Sequence, residues 1–515
     1  MSFKGFDFAN LFVLDMANNH QGSVEHGKLI IENCAETVRR NNIRAGLKFQ
    51  FRDIPDFISP TQRKEQSNKH VPRFLKTKLE WSNFFELKEY AANSGLITIC
   101  TPFDEKSVDK IIEMNFDVIK VASCSATDWP LLQKVADANR PVICSTGGLT
   151  ISQIDQVVSF FTHNAVDFAL MHCVSIYPTP DNECNLLDIK LLKERYKGTT
   201  IGWSTHEDQD EILPIALAKA LGAEMFERHV GLETEKITLN AYSSTPAQLD
   251  AWFKAYAKTN RLLGTSGRNA ITQTEKEALE GLQRGVFLKD GKKAGEKITN
   301  DDIYFAFPLE DGQISSGEFK SGAVLLVNQS KDSALLKSNL SFQMSDTEIA
   351  TTNLKHAIYD VKALLNKANV SLNHMFKTEY SHHNGISNFR EVGTVLIEVL
   401  NRDYAKKILV QLPGQSHPLH MHKLKEESFL VLHGDLQIQL DGRSHFLNPG
   451  DILTVLPGIW HQFKSVGGCV FEEISTTAYA NDSYYKDNRI ANMTSDQRKT
   501  VVDHWGRFQI QNQLL

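Results

Sequence analysis

The sequence predicts a (β/α)8 barrel, then a small β region, then an all-β barrel, and three observations carry that reading. Eight short apolar runs, interleaved with stretches of helical period, fill about the first 250 residues, the size such a barrel takes. A short stretch rich in Gly and Lys follows, with Gly turns between short strands. From about residue 380, short β-like runs recur between Pro-Gly and Asp-Gly turns, the pattern of a β-barrel or sandwich.

Taken in order, the first strands are Leu11–Met16, Ala45–Phe51, Leu96–Thr101, Val118–Ala122, Pro141–Ser145, Phe168–Cys173, Thr200–Ser204 and Ala223–Arg228. Helical segments such as Val24–Asn41, Trp81–Asn93, Glu105–Met114, Ser152–Phe161, Leu186–Tyr196 and Asp210–Leu221 lie between them. A doubly wound sheet is the alternative. It fits less well, because no GxGxxG follows the first strand and the count stops at eight. The second region holds Gly291-Lys-Lys-Ala-Gly-Glu-Lys-Ile-Thr-Asn-Asp-Asp-Ile303. Next, Ser345-Asp346-Thr347-Glu348 has capping-box spacing. Ile349, Leu354, Ile358, Val361, Leu364 and Leu365 then roughly follow a helical period and predict a helical connector. The last region carries β-like runs at Thr394–Val399, Lys407–Leu412, Glu427–Leu432, Leu436–Leu440, Ile452–Leu456 and Cys469–Ile474. The predicted domains are 1–280, 281–335, the connector 336–375, and 376–515.

Composition narrows the function classes. Among 515 residues, 56 Lys and Arg face 62 Asp and Glu, a net charge of −6. That mild acidity offers no basic field to a nucleic-acid backbone and no polybasic patch to a membrane. No apolar run approaches the length of a membrane span, and no secretory leader pattern opens the chain, so the expectation is a cytoplasmic protein. Seven cysteines, an odd number without CxxC, predict free thiols.

Catalytic groups of such a barrel sit at the C-terminal strand ends. Those ends read Asp15-Met-Ala-Asn-Asn-His-Gln-Gly, Lys48-Phe-Gln50, Thr101-Pro-Phe-Asp, Lys120-Val-Ala-Ser123, His172-Cys-Val-Ser-Ile-Tyr177-Pro, Gly202-Trp-Ser-Thr-His206 and Glu227-Arg-His229. Lysines on barrel strands need an anion, since an unpaired buried charge is costly. Lys48 and Lys120, with hydroxyls from Thr101, Ser123 and Ser204, suit a phosphate or carboxylate. Alternatively, their ammonium groups snorkel to solvent. His206 and His229, on adjacent strands, could share one metal ion.

In the last region, His420-Met-His422 places two imidazoles on one face of a strand, because side chains alternate. Glu427 on the next strand and His461 from a later hairpin complete three nitrogens and one oxygen. That set suits Mn2+, Fe2+, Ni2+ or Zn2+.

The barrel motifs together resemble the sialic acid synthase (N-acetylneuraminate synthase) family: Asn-Asn-His-Gln-Gly, Lys48-Phe-Gln, Thr101-Pro-Phe-Asp, Lys120-Val-Ala-Ser, Ser145-Thr-Gly-Gly, Tyr177-Pro-Thr-Pro, Gly202-Trp-Ser-Thr-His and Glu227-Arg-His. The Gly291–Gly317 stretch resembles that family's antifreeze-like (SAF) domain. The resemblance implies condensation of phosphoenolpyruvate with an aldose, giving a 3-deoxy-2-keto sugar acid and phosphate. It implies Mn2+ on His206 and His229, and phosphoenolpyruvate on Lys48, Gln50, Thr101, Lys120, Ser123, Ser175 and Ser204. Tyr177 would face the sugar, Asp15 would supply the carboxylate where the family has Glu, and the assembly would be a homodimer. Several positions depart from the pattern. Ser125 replaces a Glu, Phe307 stands where an Arg binds the N-acetyl group, Asn240 replaces an Asp, and Ser175 replaces an Asn. These departures point to an acceptor other than N-acetylmannosamine, an unacetylated or phosphorylated aldose.

The last region resembles cupins, and its wider text resembles D-lyxose isomerase, a cupin sugar isomerase. That likeness implies metal-assisted proton transfer between ketose and aldose, with Glu426 or Glu427 as candidate base. The expected function is a synthase whose metal-binding cupin isomerises or binds the sugar. The alternatives are a synthase with an inert cupin used for assembly, and a non-catalytic sugar-binding regulator.

Overall fold

Eight parallel strands close on themselves in the first half of the chain: β1 (Leu11–Asp15), β2 (Arg44–Phe51), β3 (Ile97–Pro102), β4 (Val118–Val121), β5 (Val142–Ser145), β6 (Phe168–Cys173), β7 (Thr200–Thr205) and β8 (Met225–Val230). Each pairs with the next, and β1 pairs with β8, so no edge is left open. The predicted barrel is thus present in this computed structural model, which describes residues 5–265, 270–342, 346–372, 376–479 and 481–502. The chain divides into two compact units, Met1–Asn269 and Ala270–Leu515.

Period-two alternation sorts the barrel side chains. Phe12, Leu47, Phe49, Ile119, Trp203 and Phe226 face the helices. Leu11, Val13, Ile99, Val118, Ile143, Met171 and Met225 fill the barrel interior from below. One step further along the same inward rows come Asp15, Lys48, Thr101, Lys120, Ser145 and Glu227, all buried. An apolar floor therefore underlies a polar layer at the strand ends.

The helices begin where local chemistry allows. Ser23 caps Val24–Arg40 by accepting from the His26 amide. Pro246–Leu263 opens on a reciprocal capping box between Thr245 and Gln248. It lays Trp252, Phe253 and Tyr256 edge-on against Phe12 at ring distances of 5.3, 5.2 and 4.9 Å, across the β1–β8 seam. The β2–β3 connection contains three short helices, Ile54–Phe57, Pro60–Glu65 and Val71–Lys76, before the expected Trp81–Asn93.

In the second unit, short sheets at Gly285–Leu288 with Ile303–Ala306, and at Lys297–Ile298, Ala323–Leu325 and Leu340–Ser341, share an apolar core that includes Val286, Ile298, Ile314 and Leu335. The C-terminal barrel is two antiparallel sheets. The larger runs Ile452–Val455, Glu427–Gly434, Cys469–Thr476, Tyr404–Gln411, Thr394–Asn401, Thr378–Ser381, Lys499–Val502. The smaller runs Arg443–Leu447, Leu436–Leu440, His461–Lys464, Ser416–Met421, Tyr484–Tyr485.

The segment predicted as a connector is more than that. Helix Asp346–Lys367 packs Leu354, Ile358, Val361, Leu364 and Leu365 onto Tyr380, Val395, Ile397, Ile408 and Val410 of the larger sheet. Ile349 alone of the predicted stripe is exposed. The capping-box residue Ser345 lies outside the described residues. All seven cysteines are free, as expected. Among the described residues, no helix is long and apolar enough to cross a membrane.

Candidate active site and metal centre

At the barrel mouth the strand register brings the predicted groups together. Asp15 on β1 lies opposite Lys48 on β2 and His229 on β8. The Lys48 ammonium sits 2.9 Å from Asp15 Oδ2 and 2.7 Å from Glu227 Oε1. Lys120 Nζ lies 3.6 Å from Glu227 Oε2 and donates to Ser145 Oγ. Both lysines are buried, at 4% and 2% exposure, so neither snorkels. Burial opposes every charge here. Even so, Lys48 and His229 hold Asp15 below the usual carboxylate range, and Lys120 and Lys48 do the same for Glu227. Lys48 is raised in turn by Asp15 and Glu227.

The other predicted residues surround this network. Gln50 Nε2 donates to Asp15 Oδ2 at 3.1 Å. Thr101 Oγ1 and Glu227 Oε2 are buried and make no hydrogen bond. Ser123 Oγ accepts the Gly147 amide at 3.0 Å, and Ser204 is buried beside the network on β7. A Cβ on Gly147 would stand 2.7 Å from Ser123 Oγ and 2.6 Å from Ser175 Oγ, so both serines converge on that glycine. Gly147→Ala is expected to displace them and raise the KM for an anionic substrate about tenfold, with little change in melting temperature, because each displaced charge-assisted hydrogen bond carries about that much. Steady-state kinetics beside thermal melts would check it.

His206 and His229 bring their rings to 5.4 Å, and the Tyr177 ring lies 4.1 Å from His206. His206 Nδ1 bonds the Val174 carbonyl at 3.0 Å, which turns Nε2 toward the mouth. His229 Nε2 is 3.4 Å from Asp15 Oδ2. Two imidazoles and a nearby carboxylate fit a divalent ion. Of the residues that departed from the resemblance, Ser125 is buried just past β4 and Phe307 is exposed in the second unit.

In the C-terminal barrel, His420, His422, Glu427 and His461 are all buried, with ligand atoms within 4.8 Å of one another. Each histidine commits Nδ1 to a backbone carbonyl: Pro418 at 3.0 Å, Asp482 at 2.7 Å and Ile459 at 3.0 Å. This fixes the tautomer that leaves Nε2 as a ligand atom. His461 Nε2 and Glu427 Oε1 lie 2.8 Å apart, yet both are buried without a hydrogen bond. Two orphaned atoms facing one point fit a cation. His461→Ala is expected to abolish retention of a transition metal in this unit, read by elemental analysis after dialysis.

The metal cluster forms one wall of a cavity of about 360 Å³. Alternation again builds it. Phe429 and Leu409 fill the apolar part, while Lys407 and Glu473, from the same rows, line the polar part. Lys425 bridges Glu427 and Glu473, and Lys407 lies 3.1 Å from Glu473. Glu426 does not share this cavity. Its side chain is exposed, one residue out of phase with Glu427. Glu473, buried at 3%, is the second carboxylate beside the metal ligands.

A model of the NeuB family matches residues 44–268, and a model of the cupin domain matches residues 408–473. An uncharacterised protein of Methanocaldococcus jannaschii, MJ1065, is 32% identical over 292 residues, 56% of this chain and 82% of that one. The chain belongs to the NeuB family. N-acetylneuraminate-9-phosphate synthase of Drosophila melanogaster is 31% identical over 254 residues, 46% of this chain and 65% of that one. A crystal structure from Chromobacterium violaceum, described as spore coat polysaccharide biosynthesis protein E, is 40% identical with a TM-score of 0.61, covering 65% of this chain and all of that one. The NeuB-family match holds every predicted barrel residue except Asp15, and the cupin match holds all four clustered ligands.

Three barrel residues escaped the sequence reading. Glu227 and Ser145 were visible in motifs, but their inward direction was not used. Cys173 faces inward between His206 and Lys120. Burial alone would push its thiol up, but those neighbours hold it below its ordinary value.

Proposed function

We propose that the barrel condenses phosphoenolpyruvate with an aldose to give a 3-deoxy-2-keto sugar acid and phosphate. The observation that carries this reading is the buried Asp15, Lys48, Glu227 and Lys120 network beside His206 and His229. Lys48 and Lys120 hold the enol acid's carboxylate and phosphate, helped by Thr101, Ser123, Ser145, Ser175 and Ser204. Gln50 and Tyr177 face the aldose. C3 of phosphoenolpyruvate attacks the aldehyde carbon, water adds at C2, and phosphate leaves. Asp15 and Glu227 keep both ammonium groups charged and in place. Two lysines matched by two carboxylates leave no surplus positive charge for so anionic a substrate. A divalent ion on His206 and His229, Mn2+ by family likeness, would supply that charge and polarise the aldehyde.

The cupin extends the proposal. A transition metal on His420, His422, Glu427 and His461 would orient the hydroxyl and carbonyl oxygens of a sugar. Glu473, held between Lys425 and Lys407, is the candidate base in place of Glu426. The same reading includes an antifreeze-like small domain and a cytoplasmic homodimer.

The test uses the full chain, phosphoenolpyruvate and a panel of aldoses, each with Mn2+. Phosphate release dependent on both substrates is expected. If no aldose supports it with any divalent metal, the synthase reading fails. Ketose–aldose exchange by the same protein, lost in His461→Ala, is expected of a catalytic cupin. Its absence with every metal would make the cupin an assembly module.

A further inference from the structure

Arg52 continues the inward row of β2. Lys48, Gln50 and Arg52 are two residues apart, so all three turn toward the barrel axis at rising heights. A hydrogen-bonded line connects Arg52 to the reaction centre: Arg52 Nη2 donates to Gln50 Oε1 at 3.0 Å, and Gln50 Nε2 donates to Asp15 Oδ2 at 3.1 Å. Three rings grip the guanidinium. Its carbon lies 3.7 Å from the Phe103 ring centre, 4.2 Å from Phe74 and 5.9 Å from Phe57.

What this cation lacks is an anion. Nε is sealed from solvent and makes no hydrogen bond. The neighbouring carboxylates are committed elsewhere: Asp53 to Lys106, Asp104 to the Asp53 and Ser107 amides, and Asp15 to Lys48. Burial presses Arg52 down to about 10. Arg73, on helix Val71–Lys76, adds to the strain. It is near enough to oppose the charges of both Arg52 and His229. Two guanidinium groups beside each other, one wrapped in aromatic rings, are a poor structural solution but a good anion clamp. The planar fork matches the oxygens of a phosphate in two-point contact.

We propose that Arg52 and Arg73 form a subsite for a phosphomonoester on the acceptor, so that the aldose condensed in the barrel is a sugar phosphate. The inference rests on the synthase reading and narrows its acceptor. Gln50 ties Arg52 to the aldose side of the mouth, while Lys120, Ser123, Ser145 and Ser175 occupy β4 to β6 and serve the enol phosphate. The clamp replaces recognition by an N-acetyl group with recognition by charge.

The full-length protein would be assayed for phosphate release from phosphoenolpyruvate with paired acceptors: mannose, N-acetylmannosamine and the 6-phosphate of each. The phosphorylated member of a pair is expected to have the higher kcat/KM, by at least about tenfold. Arg52→Met, whose unbranched side chain fits among the three rings, is expected to raise the KM for the sugar phosphate by about 30-fold, the loss of a charge-assisted pair. Its KM for phosphoenolpyruvate is expected to stay within about twofold of the parent value on the same ground. Arg73→Gln, a more exposed change, should reproduce a smaller part of the effect if Arg52→Met folds poorly. Equal use of neutral and phosphorylated acceptors would overturn the proposal, as would a rise confined to the KM for phosphoenolpyruvate. Calorimetry with mannose 6-phosphate separates this from the wider reading. Binding by the parent but not by Arg52→Met supports the clamp even if no acceptor is turned over. In that case only the synthase assignment falls. Binding that survives in both variants sinks the clamp.

Discussion

Lys48→Met is expected to abolish phosphate release and to destabilise the barrel by about 3–5 kcal/mol, the cost of stripping one partner from a buried charge network. Lys48 is the cation that both Asp15 and Glu227 rely on, at 2.9 and 2.7 Å, and the three are almost solvent-free. Without it, two carboxylates face each other above an apolar floor. Each raises the other's pKa, as each already does in the native network, so the variant should take up a proton that the parent does not. Urea denaturation at pH 7 and at pH 5 would show this, with the variant's deficit smaller at the lower pH. Adding Glu227→Gln is expected to return part of the stability and none of the turnover, because it removes the surplus charge but not the need for a cation. A parent-like urea midpoint for Lys48→Met would show that the network contributes nothing to the fold.

The second large effect is an acid instability of the cupin. Burial pushes His383 down to about 4, and pushes His417, His420 and His422 down as well, with neighbouring charges adding to it. An unfolded chain protonates these rings near 6.5, while the folded one keeps them neutral. Their contribution is therefore complete above 6.5 and is lost as pH falls from 6.5 toward about 4. His383 alone, 1% exposed with both ring nitrogens unpartnered, accounts for about 3 kcal/mol over that window. His383→Phe keeps a ring against His417 and Tyr485, both 4.8 Å away, and removes the proton. Melts of the metal-free protein from pH 7.5 to 4.5 should show a shallower acid decline in this variant. An unchanged slope would refute the assignment.

Most of the barrel could be read from the chain because its signals are local. Short apolar runs mark strands, and Lys48, Lys120, His206 and His229 stand at their ends where polar residues have no packing role. The hydrogen-bond partners were harder to see. Glu227 precedes His229 by two residues and must share its face, yet one motif can be read without asking which of its members turn inward. Glu426 and Glu427 show the same difficulty at finer scale. Adjacent residues on a strand face opposite ways, and only the pairing of Glu427 with Val455 and Ser475 settles which is inside. Glu473 lies 46 positions further on by residue number, and nothing but sheet pairing brings it to the metal ligands. The aromatic grip on Arg52 depends on Phe57, Phe74 and Phe103, from two connections with no shared pattern.

Helix Asp346–Lys367 has a practical meaning for anyone who cuts this protein apart. The larger cupin sheet carries its chemistry on one side and Tyr380, Val395, Ile397, Ile408 and Val410 on the other. That second side is apolar because the helix covers it. A recombinant cupin begun at residue 376 would present this face bare to water and would be prone to aggregate. Silence from such a fragment would report damaged folding instead of absent chemistry. The seam for excision lies upstream of residue 346, and any swap of this cupin onto another enzyme must carry the helix with it.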